Sequence, residues 1–173
     1  DGTGLLADLT RNLRLNLSSP RILLLGAGGA ARGALGPLLD LKPRLLVVAN
    51  RTAERAIEIA EDFAYLGPVR GCEFAKLENQ RFDLIVNATS ASLRGDVPAI
   101  PAGVVDSLTT CYDMAYGSGD TAFVTWAKAR GAGRANLFGA SNGRDEHHAL
   151  AFYVVHAARD DEFQVHASFR QHL

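Results

Sequence analysis

Cysteine is scarce in this chain: there are only two, Cys72 and Cys111, and neither has a spacing that metal ligation would need. Each falls in or beside a strand-like segment, which suits buried thiols in a reducing cytosol and argues against a disulfide framework. Long apolar runs are also missing. No stretch approaches the roughly 20 residues that span a bilayer, and no charged-then-apolar leader opens the sequence, so a cytoplasmic protein with no membrane partner is expected. Net charge is nearly absent, at −1, which gives no sign of a nucleic-acid or polyanion partner. No Ser-His-Asp or Cys-His arrangement is recognisable. All five histidines, His147, His148, His156, His166 and His172, fall in the last part of the chain, and none are spaced to share one helix face. No metal site is expected from them. Methionine is absent from the first position, which is Asp1, and a piece of something longer is the expectation.

What remains is a chain of 173 residues, 47% hydrophobic, able to bury a core as one domain. Apolar runs alternate with helical periodicity. Leu5, Leu6, Leu9 and Leu13 mark an amphipathic helix broken by Ser18-Ser19-Pro20, and Ile22–Leu25 follow as a buried strand. A helix from about Gly29 to Leu41, a strand over Leu45–Ala49, and a helix carrying Ala56, Ile59, Ala60 and Phe63 come next. Further strands are expected near 69–74, 82–87 and 108–114, and a short helix from Thr121 to Gly131. Buried strands in βαβα order predict an α/β fold with a doubly wound parallel sheet, Rossmann-like. Residues 1–173 read as a single dinucleotide-binding domain, with a helical tail from 132 onward in which Leu150, Tyr153, Val154 and Ala157 keep one face.

The first strand runs straight into Gly26-Ala27-Gly28-Gly29-Ala30-Ala31, a Gly-x-Gly-x-x-Ala turn in the strand-to-helix context that gives this motif meaning. Gly26 permits the sharp turn, Gly28 lets the main chain approach a pyrophosphate, and Ala31 keeps the following helix close to the strand. The helix N-terminus then offers unpaired N–H groups and partial positive charge to phosphates. The second strand lacks the Asp or Glu at its end that an NAD site uses for the ribose hydroxyls. It ends in Asn50-Arg51-Thr52 with Arg55 one turn on. Arg51 offers a planar fork to a 2′-phosphate, Thr52 a hydroxyl, and Arg55 a second cation, so NADP is favoured. The competing reading makes Thr52 an N-cap and pairs the arginines with Glu54 and Glu58. Asn87-Ala88-Thr89-Ser90, at the end of another strand, offers short polar groups to line the cofactor's riboses, although these are also common turn formers.

These motifs, together with Tyr112-Asp113-Met114-Ala115-Tyr116-Gly117, Thr121, Phe123 and Trp126, resemble the NADP-binding half of shikimate dehydrogenase over residues 1 to about 131. Glutamyl-tRNA reductase and methylene-tetrahydrofolate dehydrogenase are similar more weakly, the former sharing a Gly-Ala-Gly turn and an Asn-Arg-Thr. The resemblance implies hydride transfer between NADPH and 3-dehydroshikimate to give shikimate, within aromatic amino acid biosynthesis. It also implies that Asp1 is the aspartate of the catalytic pair and contacts substrate, that Tyr116 contacts substrate, and that Met114 packs near the nicotinamide. An N-terminal cap or frayed end is the plainer reading of Asp1. The resemblance places the catalytic lysine in a substrate domain that precedes this region, and Lys42, Lys76 and Lys128 lack its context.

The tail departs from the pattern. By the resemblance Gly139 stands for one of the family's glycines, on the cofactor side, but the glutamine that follows them there has no counterpart in Asn136–Asp145. Divergence, a redesigned end and a shifted reading frame would each produce such a tail. The sequence therefore predicts the cofactor half of an NADP-dependent oxidoreductase, inactive alone, with a non-catalytic NADP-binding module, an engineered fragment or a glutamyl-tRNA-reductase-like domain as alternatives. Apolar surface left by a missing partner domain would favour self-association.

Overall fold

A computed structural model describes residues 2–12, 18–115 and 119–137, all within the compact unit Asp1–Ala140. Six strands form one sheet: β1 Arg21–Leu25, β2 Leu45–Asn50, β3 Val69–Glu73, β4 Leu84–Asn87, β5 Thr110–Asp113 and β6 Arg134–Leu137. Every pairing is parallel and the order is β3-β2-β1-β4-β5-β6. This is the α/β, doubly wound Rossmann-like architecture that the alternating pattern predicts. Among the described residues four α-helices accompany it: α1 Gly2–Ala7, α2 Gly29–Asp40, α3 Ala53–Phe63 and α4 Ala122–Ala129. Among the described residues no helix is long and apolar enough to cross a membrane.

The inner strands are apolar through their middles, between polar ends such as Arg21, Asn50, Asn87 and Asp113, because both sheet faces are covered. Ile22, Leu24, Leu46, Val48, Leu84 and Val86 face one core with Leu5, Leu9 and the buried side of α2. Leu23, Leu25, Val47, Ala49, Ile85 and Cys111 face the other with Phe82, Phe123 and Ala127. Successive residues of a strand thus feed opposite cores, as period-two side-chain geometry requires.

Several expected boundaries shift. β3 ends at Glu73, and Phe74 opens a 3₁₀ turn instead of extending the strand. Phe82 and Asp83 precede β4: Phe82 is a core residue, while the Asp83 N–H donates to the Arg21 carbonyl at 2.9 Å. β5 starts two residues later than expected because Leu108 lies in an exposed turn. α1 gives way after Ala7 to a π-helical turn, Asp8–Asn12, which keeps Leu9 as well as Leu5 fully buried; Leu13 lies outside the described residues. The residues after Gly131, expected to start a helical tail, instead form β6 at 134–137. The rest of that expectation, with all five histidines, falls outside the described residues.

Candidate functional site

Parallel pairing brings the ends of the strands to one edge of the sheet. Leu25 is in register with Ala49 and with Asn87, and Asn87 with Asp113. The segments beginning at Gly26, Asn50, Ala88 and Met114 therefore stand side by side, where ligands of doubly wound sheets bind.

Gly26 leaves β1 with φ +103, a left-handed-region value that glycine adopts without strain. A Cβ there would lie 3.1 Å from the Ala88 carbonyl oxygen and 3.2 Å from Thr89 Cγ2, so the 26–28 turn and the 88–89 turn abut. Gly28 holds the N-cap of α2 with no side-chain cap, and a Cβ on it would meet nothing within 4 Å. Gly29 and Ala30 are exposed beside it, whereas Ala31, on the inner face of α2, is fully buried, and Ala27 packs against the adjoining core. Open glycine backbone, a helix start and a buried alanine give an anion-accepting turn. Arg32 is occupied elsewhere, pairing with Asp62 at 2.8 Å and covering the Phe63 ring, which ties α2 to α3.

Beyond β2, a cleft of about 600 Å3 opens. Asn50, Arg51, Thr52 and Arg55 form part of its lining, and Thr89, Ser90 and Arg94 another. Asn50 braces the turn by donating from Nδ2 to the Thr52 carbonyl at 3.1 Å. Thr52 occupies the N-cap of α3, yet its hydroxyl caps nothing, unlike Thr121, whose Oγ1 accepts from the Val124 N–H at the start of α4. The Thr52 hydroxyl is thus not consumed by its helix. Among the described residues neither Arg51 nor Arg55 forms an ion pair, with Glu54, Glu58 or any other carboxylate. A phosphate meeting this wall finds two unpaired cations.

Asn87 lies behind the cleft and not in it. Its side chain is fully committed, donating to Asp113 Oδ1 at 3.2 Å and Ser92 Oγ at 3.1 Å and accepting from the Thr89 N–H and hydroxyl. Asp113 also accepts from Ser92 Oγ at 2.6 Å, Thr121 Oγ1 at 2.5 Å and the Ala115 N–H. This buried network fixes the turns that follow β4 and β5. Its signal in the sequence was an aspartate within an apolar strand, since a buried carboxylate requires hydrogen-bond donors. Met114 is half-buried against the same core as Ala27 and Ala88. Arg94 and Phe74 line the cleft without having been expected there, because loop residues carry no periodicity from which a direction can be read. Asp1, Tyr116 and Gly139 lie outside the described residues.

The cysteines offer no nucleophile. Burial pushes the Cys111 thiol up to about 12, and it raises Cys72 too, with Arg70 opposing and Glu73 adding to the shift. Both are neutral thiols near pH 7.

The model of the family described as shikimate / quinate 5-dehydrogenase matches residues 8–94. A shikimate dehydrogenase (NADP(+)) of Methylococcus capsulatus is 52% identical over 132 residues, covering 76% of this chain and 47% of that protein. One from Dechloromonas aromatica is 45% identical over 174 residues, covering 100% of this chain and 62% of its own length. Among solved structures, the Ael1 enzyme from Pseudomonas putida superposes with a TM-score of 0.70 at 44% identity, over 79% of this chain and 49% of that one. The chain spans about half to three fifths of the length of these relatives. With the family model matched across the glycine turn, the arginine wall and the start of the β4 loop, the chain belongs to the shikimate / quinate 5-dehydrogenase family.

Proposed function

We propose that this chain binds NADP and supplies the cofactor side of reversible hydride transfer between NADPH and 3-dehydroshikimate, giving shikimate. The observation that carries this reading is the wall after β2, where Arg51, Arg55 and the uncapped Thr52 hydroxyl meet one cleft and β2 contributes no carboxylate to repel a 2′-phosphate. Both curated relatives are named for NADP(+). The residues fit the rest of the group as well. Gly26, Gly28 and the open start of α2, with Gly29 and Ala30 exposed, suit a pyrophosphate; Ala88 and Thr89 abut the Gly26 turn, and Thr89 and Ser90 line the cleft. Met114, beside the ends of β4 and β5, supplies an apolar surface for the nicotinamide. Bound NADP supplies the hydride donor or acceptor.

The chain's own residues bind and orient. The Asp113–Asn87 network holds the β4 and β5 loops without touching the reacting atoms. Protonation of the developing alkoxide needs an acid on the substrate side, a role we assign to Asp1 with a lysine from a substrate half, and we likewise assign substrate contact to Tyr116 and cofactor binding to Gly139. On this reading the isolated chain binds NADP and does not turn over shikimate, and the substrate half is its partner.

Calorimetric titration with NADPH and NADH at fixed salt tests the proposal. Saturable binding that prefers NADPH is expected, and Arg51→Ala should weaken NADPH by about 1.5–3 kcal/mol while leaving NADH nearly unchanged. Equal losses for both would remove the 2′-phosphate assignment.

A further inference from the structure

The loop after β4 carries a third cation into the cleft. Arg94 lines it with Arg51 and Arg55, so three arginines face one aspartate, Asp96, in a single cavity. Arg94 stands at the end of the 3₁₀ turn Ser92–Arg94, which closes at Gly95 with φ +75. The turn is anchored from beneath, because Ser92 Oγ donates to the buried Asp113 at 2.6 Å and accepts from Asn87 at 3.1 Å. Above, Arg94 Nη1 donates to Ser90 Oγ at 3.2 Å and Nε to Asp96 Oδ2 at 3.4 Å. That ion pair is exposed, each side chain 64% accessible, and adds little stability of its own. Nη2 has no hydrogen-bond partner among the described residues.

A guanidinium mounted on a turn that is already pinned has less backbone freedom to lose on meeting an anion. Arg51 and Arg55 flank the start of α3; Arg94 comes from a different loop. Resting on the reading that the cleft takes the adenosine end of NADP, we propose that Arg94 is a specificity-determining residue that completes the 2′-phosphate site from the β4 loop and adds to the preference for a 2′-phosphorylated adenosine.

The test is calorimetric titration of the chain with adenosine 2′,5′-bisphosphate and with 5′-AMP, which isolate that end of the dinucleotide. The wild type is expected to favour the bisphosphate. Arg94→Ala should weaken the bisphosphate roughly tenfold, the scale of one charge-assisted hydrogen bond, and change 5′-AMP by less than about twofold. Arg94→Lys, which keeps the charge and loses the fork, should fall between them. Circular dichroism melts check that each variant stays folded. An equal loss for both nucleotides overturns the phosphate assignment by showing contact with the shared nucleoside; no loss for either overturns any part for Arg94. A wild type that does not distinguish the nucleotides, with Arg51→Ala equally silent, overturns the NADP reading itself and this inference with it.

Discussion

At the scale of single residues, two glycines in the same turn carry different constraints. Gly26 needs its backbone conformation, and a side chain there would press on Ala88 and Thr89. Gly28 has φ −97 and open space around its missing Cβ, so the fold itself does not require glycine. Gly28→Val should therefore stay folded, with a melting temperature within a few degrees of the parent, while losing measurable dinucleotide binding because the side chain fills the approach of the pyrophosphate. Retained NADPH affinity in calorimetry would move the phosphate site elsewhere. The turn was legible in the sequence because glycine spacing reports backbone needs directly. Asn87 was legible only in part: its type fits a polar loop, but whether its amide points to a ligand or inward depends on Asp113, 26 residues away.

Among elements, the closest packing is between α3 and β3. A Cβ on Gly71 would lie 2.2 Å from both the carbonyl carbon and the oxygen of Ala56, so the helix backbone rests on the bare strand. Gly71→Ala must lift α3, at a cost of about 3 kcal/mol by the scale of overpacked cores. Gly33→Ala on the open side of α2 meets nothing within 4 Å and should gain about 0.5–1 kcal/mol. Urea unfolding of the pair reads both signs, and a harmless Gly71→Ala would contradict the contact. Strands β1 and β2 and helices α2 and α3 were legible because their apolar pattern is long and unbroken. β6 was not. It is four residues long, with an exposed Arg134 and a half-buried Ala135, and among the described residues it pairs only with β5. Its place depends on Gly133, where a Cβ would fall 2.2 Å from the Ser107 carbonyl oxygen. Such close approach between loops leaves no period to detect.

Over the whole molecule, alternation predicts a parallel sheet, but closure of the fold relies on contacts between distant parts of the chain. The buried Tyr112 hydroxyl on β5 donates to Asp8, 104 residues earlier, in the π-helical turn that follows α1. Tyr112 shares one core with Leu5 and Leu9, so this bond and that packing together dock the opening segment across the sheet. Tyr112→Phe keeps the ring and removes the donor to a buried carboxylate, which should lower stability by about 1–3 kcal/mol. The loss should be uneven. Residues 2–12 are held to the sheet partly by this bond, whereas β1 and β2 are held by their own ladder, so amide hydrogen exchange should quicken in 2–12 before it changes in the central strands. Uniform acceleration would mean that the opening helix and the sheet unfold as one unit, and unchanged exchange would mean that apolar packing alone holds the segment in place.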